Sequence, residues 1–471
     1  MKYITKISVL IIAIIGFSCK KIIDLKPETV IENDKVINTL ADLQLVLNGA
    51  YDGLQGANVL GGNMTVYSDY FADDADIRLD NLGTFGTSEI YNGNTSVQIG
   101  ILRDMWRDCY STINRANNVI NFIDNNTKLS GPEFEAKKDK LKAEAIFIRA
   151  VVHFELLRFW ALPYDKKITG NNIQPGIVIR TKPTTSIDSV ASFKKPRATV
   201  EEVYDFVINQ LKTASDMLTQ KGIISSVGYA SSSSCKAMLA RVYYFKGDYE
   251  NAINYAEQLT ANTNSPYILK DSLKLIDNFR NQGFHSATNN EVIFEVLNMP
   301  LDNTSPLRNL YSRQASFFFR IPAATATSLY DVADYRLTKV LSYSTFGSSS
   351  TTKYDNPNEA ATPNNVCYIR LAEMYLILAE CKANTGDFTA ALSNYNLLRK
   401  RLIKNYVDET STDNLVNKII EERRRELCFE GDRYMVLRKN GLPLKGGLDY
   451  KKYLFKIPQE EIAGNPDIVQ N

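Results

Sequence analysis

The stretch AMLARVYYFKGDYENAINYAEQL, residues 237–259, decides the fold. Leu239, Val242 and Tyr243 fall on one stripe of a first helix, and Tyr249, Ala252, Ile253 and Ala256 lie on a second. Gly247-Asp248 breaks the chain between them. Small side chains at Ala240 and Ala252 allow two antiparallel helices to approach closely, and Gly247 supplies the turn.

The pattern returns in EMYLILAECKANTGDFTAALSNYNLL, residues 373–398. There Ala379, Gly386, Asp387, Phe388, Ala391 and Leu392 repeat the offsets of Ala240, Gly247, Asp248, Tyr249, Ala252 and Ile253. A small residue, then Gly-Asp-aromatic, then Ala-aliphatic is the tetratricopeptide hairpin pattern. The spacing predicts a mostly α protein on a tetratricopeptide-type helical-hairpin scaffold. Gly247 and Gly386 stand 139 residues apart, too far for a tandem array, so a separate lobe is expected between the hairpins.

Segmentation follows from these anchors. Residues 1–18 read as a signal peptide and 19–35 as a tether. Residues 36–261 form an N-terminal helical region with hairpins, 262–365 a loop-rich inserted lobe with short strands, and 366–471 a C-terminal region with a hairpin and a terminal helix. A chain of 471 residues exceeds one ordinary core, in keeping with an extended array plus a lobe.

Composition narrows the chemistry. Without Lys2 and Lys6 of the signal segment, the 55 Lys and Arg fall to 53, equal to the 53 Asp and Glu. A neutral chain offers no general field to nucleic acid. Two His are too few for a His-rich metal site or a proton-shuttling triad, whereas 26 Tyr and 21 Phe are plentiful. The six Cys are widely spaced with no CxxC, so buried free thiols are expected rather than disulfides or zinc. No cofactor is implied.

The N-terminus, MKYITKISVLIIAIIGFSC, sets the compartment. Two lysines precede the apolar run 7–15, which is too short to span a bilayer but suits a signal-peptide core. A Cys directly after such a core resembles a bacterial lipoprotein signal, with cleavage before Cys19 and lipid added to it. Several acyl chains, at about 0.8 kcal/mol per buried methylene, would hold the mature chain on a membrane.

Elsewhere the periodicity predicts helices over 36–51, 104–124, 132–162, 200–218 and 413–430. The box Thr199-x-x-Glu202 opens the fourth of these. The fifth contains EERRRE (421–426), read as a salt-bridged solvent or interdomain face with Glu421 and Arg425 one turn apart. The third has polar strips Lys142/Arg149/His153 and Glu144/Glu155/Arg158 with apolar flanks, as in a helix sandwiched by neighbours. Residues 63–93, rich in Asp, Asn, Gly and aromatics, read as a long surface loop. Its Asp73, Asp74, Asp76 and Asp80 fail EF-hand spacing, so capping and turn roles are expected of them. Residues 163–198 read as a second loop with a short strand at 176–180, and 292–296 as a strand.

In order, the segments KAEAIFIRAVVHFELLRFWALP (142–163), KAMLARVYYFKGDY (236–249), EVIFEV (291–296), YIRLAEMYLILA (368–379), IEERRRELCFEGDRYMVLR (420–438) and FKIPQEEIAGNPDIVQN (455–471) resemble the SusD/RagB family of outer-membrane nutrient-binding lipoproteins. The resemblance implies a tetratricopeptide scaffold bearing an irregular lobe, and partnership with a SusC-type TonB-dependent transporter. It also implies a non-catalytic role, capturing an oligosaccharide at the cell surface while anchored to the outer membrane. Alternatives are a peptide ligand, a protein partner in the helical groove, or a glycan-acting enzyme, which would need two carboxylates across a pocket. The family has no fixed ligand motif. Position and composition alone point to Tyr67, Tyr70, Asp73 and Asp74 in the first loop and Tyr311 and Arg313 in the lobe as ligand contacts.

Overall fold

The computed structural model describes residues 37–72, 76–77, 99–166, 172–184, 194–219, 227–260, 265–271, 274–275, 279, 291–298, 302, 305–311, 319–343, 348–355 and 365–471. Cys19, the signal segment and the tether lie outside them, as do Asp73, Asp74, Asp80 and Arg313.

Both hairpins form where their spacing places them. Helices α6 (Ser232–Lys246) and α7 (Tyr249–Thr260) are joined at Gly247, and α11 (Leu371–Thr385) and α12 (Phe388–Lys400) at Gly386. Each glycine is left-handed, with φ of 77° and 89°, a region that a side chain disfavours. Helix α6 starts from a box in which Ser231 and Ser234 cap each other's backbone N–H. Ala240, Ala252, Ala379 and Ala391 are fully buried, as close helix packing requires.

Around them run α1 (Leu40–Gln55), α2 (Asn63–Phe71), α3 (Gly100–Asp124), α4 (Pro132–Trp160) and α5 (Val200–Thr219). Packing proceeds pairwise through α1–α3–α4–α5–α6–α7. It then passes from α7 directly to α11 and α12, so hairpins far apart in sequence stack side by side. The inserted segment is an excursion from a continuous array, not a divider of two.

That excursion carries β2 (Val292–Val296), the short α8 (Leu307–Tyr311), β3 (Phe319–Pro322), α9 (Ala323–Leu329), α10 (Tyr335–Lys339), β4 (Leu341–Tyr343) and β5 (Ser348–Thr351), and leads into β6 (Val366–Arg370). One sheet has the order β1-β3-β5-β4, with β1 (Asp76–Ile77) supplied by the N-terminal region. The other pairs β2 antiparallel to β6, with Val292 opposite Arg370 and Val296 opposite Val366. Helices α13 (Leu415–Leu427), α14 (Arg433–Lys439) and α15 (Gln459–Gly464) complete the chain.

Helix α4 is buried on nearly every side. Its last turn meets the C-terminal region: Phe455 packs on Phe159 and Trp160 with ring centroids 5.2 and 5.3 Å away. The Trp160 indole N–H donates to the Lys456 carbonyl at 3.2 Å, and Arg438 donates to the Ala161 carbonyl at 2.6 Å. End carbonyls that lack helical partners are thereby covered.

Apart from Lys142, the polar strips of α4 do not face solvent. Arg149 donates to Asn117 at 2.9 Å and to Gln210 at 3.0 Å. His153 Nδ1 lies 2.7 Å from the Arg149 carbonyl, and its Nε2 accepts the Arg180 backbone N–H at 3.1 Å. The second contact leaves Nδ1 as the protonated nitrogen. Segment 172–184, expected to contain a strand, runs extended with one bridge, Pro175 to Thr199, because side chains of α3 and α4 hold its backbone instead. The Thr199/Glu202 box forms as expected. Cys109, Cys235, Cys381 and Cys428 are buried free thiols and Cys367 is partly buried.

Of the two roles expected of the EERRRE run, a salt-bridged solvent face or an interdomain one, the structure takes the second. Glu422, Arg423 and Glu426 are buried at the seam between α13 and the lobe. Glu426 binds Arg370 at 2.6 Å, Arg401 at 2.5 Å and Arg336 at 3.1 Å. Glu422 binds Arg336 at 2.8 Å and Arg399 at 2.6 Å. Arg370 also reaches Glu291 at 2.6 Å and Glu430 at 2.9 Å. Arg425 pairs with Glu422 at 3.4 Å, and Glu421 with Arg433 at 4.0 Å, in place of the expected pair with each other. On the scaffold side, Glu373 takes Arg241 at 2.6 Å and Arg423 at 3.3 Å. Burial alone would raise the Glu373 carboxyl, but these guanidinium groups hold it at about 2.

Two outcomes are expected in urea denaturation. Arg370→Met removes the guanidinium shared by Glu291, Glu426 and Glu430 from a buried network and should cost about 3–5 kcal/mol, against less than about 0.5 kcal/mol for Lys137→Met in the exposed pair with Glu133. Burial pushes the His153 imidazole down to about 3, so the unfolded chain binds a proton there first. The stability this neutral His contributes is complete above pH ~6.5 and is lost as pH falls towards 3. Roughly 1.4 kcal/mol should disappear between pH ~7.5 and ~5.5, and His153→Gln should flatten that limb.

Candidate functional site

Aromatic and acidic residues were expected to gather ligand from 63–93 and the lobe. Residues 63–71 instead form helix α2, and Tyr67 and Tyr70 on it are only 4% and 3% exposed. Tyr311 on α8 is fully buried, and its hydroxyl donates to Asp69 at 2.9 Å. The other Asp69 oxygen accepts the Gly431 backbone N–H at 3.0 Å. Tyr311 thereby joins α2, α8 and the end of α13, and all three tyrosines lie packed inside, with little surface open to a ligand. The local sequence misleads because Asn, Ser and Asp suggest a loop, while neighbouring elements supply the partners those polar groups need.

Two concavities are open to consideration. One, about 60 Å³, lies inside the seam among Arg158, Arg241, Arg370, Glu155, Glu373 and Glu430. Its charges are engaged with one another and it is too small for an organic ligand. The other is a groove of about 310 Å³, at the lower end of the ~300–1,000 Å³ typical of ligand pockets.

Three segments build that groove. Helix α1 presents Asn48, Tyr51, Asp52 and Gln55, spaced i, i+3, i+4 and i+7 on one stripe. The turn before α6 contributes Gly228 and Tyr229, and β2 with the residues after it contributes Phe294, Glu295, Val296, Leu297 and Asp302. Gly228 is required by contact: a Cβ there would come within 2.5 Å of the Leu297 side chain.

Tyr229 is the aromatic surface of the groove, 41% exposed. Its ring meets Tyr51 edge-to-face, with centroids 5.2 Å apart and planes at 81°. Tyr51 is itself fixed at the hydroxyl, which donates to Glu144 at 2.7 Å and accepts the Ala230 N–H at 2.9 Å. Burial, then the Glu144 charge, raises the Tyr51 phenol well above its usual value, so it remains a donor. Glu144 is raised by burial, against the hydrogen bond from Tyr51. The chain Glu144–Tyr51–Ala230 therefore fixes both the ring and the backbone beside Tyr229. Gln55 donates to the Asp302 carbonyl at 2.6 Å, and Arg115 holds Asp52 at 2.5 Å.

A rigid, half-exposed ring flanked by amides and carboxylates suits a flat, hydroxyl-bearing ligand. Sequence reasoning passed over it. The polar stripe of α1 was visible beside its apolar one, but Tyr229 stands alone in a serine-rich turn. Among the described residues no helix is long and apolar enough to cross a membrane, and no group of three or more His, Cys, Asp or Glu could hold a metal ion.

Comparison with known proteins accords with this architecture. A family model described as "Starch-binding associating with outer membrane" matches residues 22–244, and one described as "SusD family" matches 322–446. SusD-like protein P2 of Formosa agariphila is 25% identical across all of this chain and 99% of its own length. A SusD-like protein of Bacteroides ovatus is 26% identical over 70% of this chain and 64% of its own. Among solved structures, a SusD superfamily protein of Bacteroides thetaiotaomicron superposes with a TM-score of 0.80 at 25% identity, covering 92% of this chain and 99% of that one. A Bacteroides vulgatus protein named for sugar binding gives 0.79 at 27% identity, covering 93% and 99%. With the stacked hairpins, the excursion between them and family matches over 22–244 and 322–446, the chain belongs to the SusD/RagB family.

Proposed function

We propose that this chain is a non-catalytic, lipid-anchored protein of the outer membrane that captures a glycan and delivers it to a SusC-type TonB-dependent transporter. The observation that carries the ligand class is Tyr229, a half-exposed ring locked by Tyr51 at the mouth of a 310 Å³ groove. Sugar rings present apolar C–H faces to such a ring and hydroxyls to the amides and carboxylates around it. A platform fixed before the ligand arrives loses little freedom on binding. Support also comes from the starch-binding description of the family matched over 22–244 and from the sugar-binding relative in Bacteroides vulgatus. The anchor is assigned to Cys19 and the transporter partnership to family membership. Asp73, Asp74 and Arg313 are proposed as ligand contacts on their positions in the sequence alone.

Tyr229→Ala should weaken binding to a retained polysaccharide by about tenfold, about 1.4 kcal/mol, in affinity electrophoresis, with an unchanged thermal midpoint. Tyr51→Phe keeps the ring but leaves the buried Glu144 and the Ala230 N–H short of a partner, so affinity and midpoint should fall together. Equal affinity in Tyr229→Ala and wild type would remove the groove from the reading. Turnover of a polysaccharide by the purified protein would make it an enzyme instead. Recovery of the lipidated chain from outer membrane should bring a TonB-dependent transporter with it, and recovery without one would overturn the partnership.

A further inference from the structure

Asp52 follows Tyr51 on α1 and lines the same groove as Tyr229. Its side chain is 55% exposed, yet it is held in place. Arg115 of α3 donates through one nitrogen, Nη1, to the Asp52 carboxylate at 2.5 Å and to the Gly49 carbonyl at 2.7 Å. The guanidinium thus ties the carboxylate both to the neighbouring helix and to the backbone of its own, three residues back. Close approach of the two helices supports the tie: a Cβ on Gly53 would come within 2.6 Å of the Thr112 hydroxyl. Arg115 takes Oδ2, and an ionised carboxylate has acceptor sites on both oxygens. Oδ1 therefore keeps its capacity to accept from a ligand.

One turn earlier on the same stripe is Asn48, whose Oδ1 accepts from Gln44 at 3.0 Å, so that its NH2 group is left to donate. Residues four apart on a helix have Cβ atoms about 5–6 Å apart. The groove therefore presents an obligate acceptor and a donor within the span of one sugar ring. A sugar with its apolar face on the Tyr229 ring keeps its hydroxyls at the ring edge, where polar groups of the same groove can meet them. A hydroxyl that donates to a carboxylate makes a charge-assisted bond, roughly twice as strong as a neutral one. A site built around such a bond discriminates sharply, because an analogue without the O–H leaves the carboxylate desolvated and unpaired. Resting on the glycan-binding reading above, we infer that Asp52 is the specificity-determining contact of the groove, accepting from a hydroxyl of the bound sugar, with Arg115 as its positioning residue and Asn48 as donor to a second sugar oxygen. The ligand class narrows to glycans with free hydroxyls at the ring edge. Their O-methyl ethers, which keep the oxygens and lose the donor hydrogens, are rejected.

The test pairs polymers that share a backbone and differ in that hydrogen. Soluble starch, xylan and laminarin would each be run beside its O-methylated derivative in affinity electrophoresis with the full chain. Whichever parent polymer is retained should bind roughly tenfold more tightly than its methyl ether. Asp52→Asn should weaken retention of the parent by roughly tenfold and narrow the gap to the ether, since an amide can donate to an ether oxygen and a carboxylate cannot. Arg115→Met should weaken the parent by about threefold alone and add nothing on top of Asp52→Asn, and Arg115→Lys should restore part of the loss. An Arg115 that served the fold alone would cost the same in both backgrounds. The pair is exposed, so the thermal midpoint should change little in each variant. Equal retention of parent and methyl ether, or parent retention untouched by Asp52→Asn and lost in Tyr229→Ala, would overturn the assignment to Asp52 and leave glycan binding in place. Retention of no parent polymer by the wild-type chain would overturn the glycan-binding reading, and this assignment with it.

Discussion

Glu426 accepts three guanidinium groups at once, and the joining of lobe to scaffold depends on that carboxylate. Arg370 comes from β6, Arg336 from the excursion and Arg401 from the end of α12. Apolar packing also crosses between the two parts, Tyr311 against Phe429 and Leu275 and Val340 against Leu402, and the charges satisfied out of water lie within it. Such an arrangement is demanding: each member must be present, or its partners are buried unpaired. It gains specificity in return, because a guanidinium fork accepts a carboxylate in few orientations. The lobe is thereby fixed in one pose on the array, and β2, which walls the groove, is fixed with it.

The groove inherits its rigidity from the same source. Its floor is α1, packed on α3 and α4, and its wall is β2, paired to β6, whose Arg370 enters the ionic seam. Tyr229 stands on a turn pinned through Tyr51 and capped into α6 by Ser231. Each of these groove residues is therefore one or two contacts from buried structure, the condition under which a surface ring keeps a fixed orientation.

Much of the architecture was legible in the chain. Gly247 and Gly386 announce the hairpins because a left-handed turn after a helix is a local demand that few residues meet. Thr199 and Glu202 announce α5 for the same reason. What sequence could not display were the long-range partners. Glu421 and Arg425 have the spacing of a surface pair, yet Arg423 and Glu426 reach ions as far as 50 and 90 residues away. Periodicity reports which residues share a face, and not whether that face meets water or another charged face. The same gap explains the tyrosines: Tyr67, Tyr70, Tyr311 and Tyr229 all sit in polar surroundings along the chain, yet the first three are buried in space and Tyr229 is left half-exposed.

The closure of α4 by distant segments bears on when the molecule can fold. The last turn of this central helix is covered by Arg438 and Phe455, close to 300 residues downstream. Loop closure of that span must precede the contact that rewards it, which makes assembly slow and leaves the N-terminal half uncompleted until late. A polypeptide threaded across a membrane in extended form is helped by such delay. In a chain exported as proposed above, translocation would finish before the native core closes.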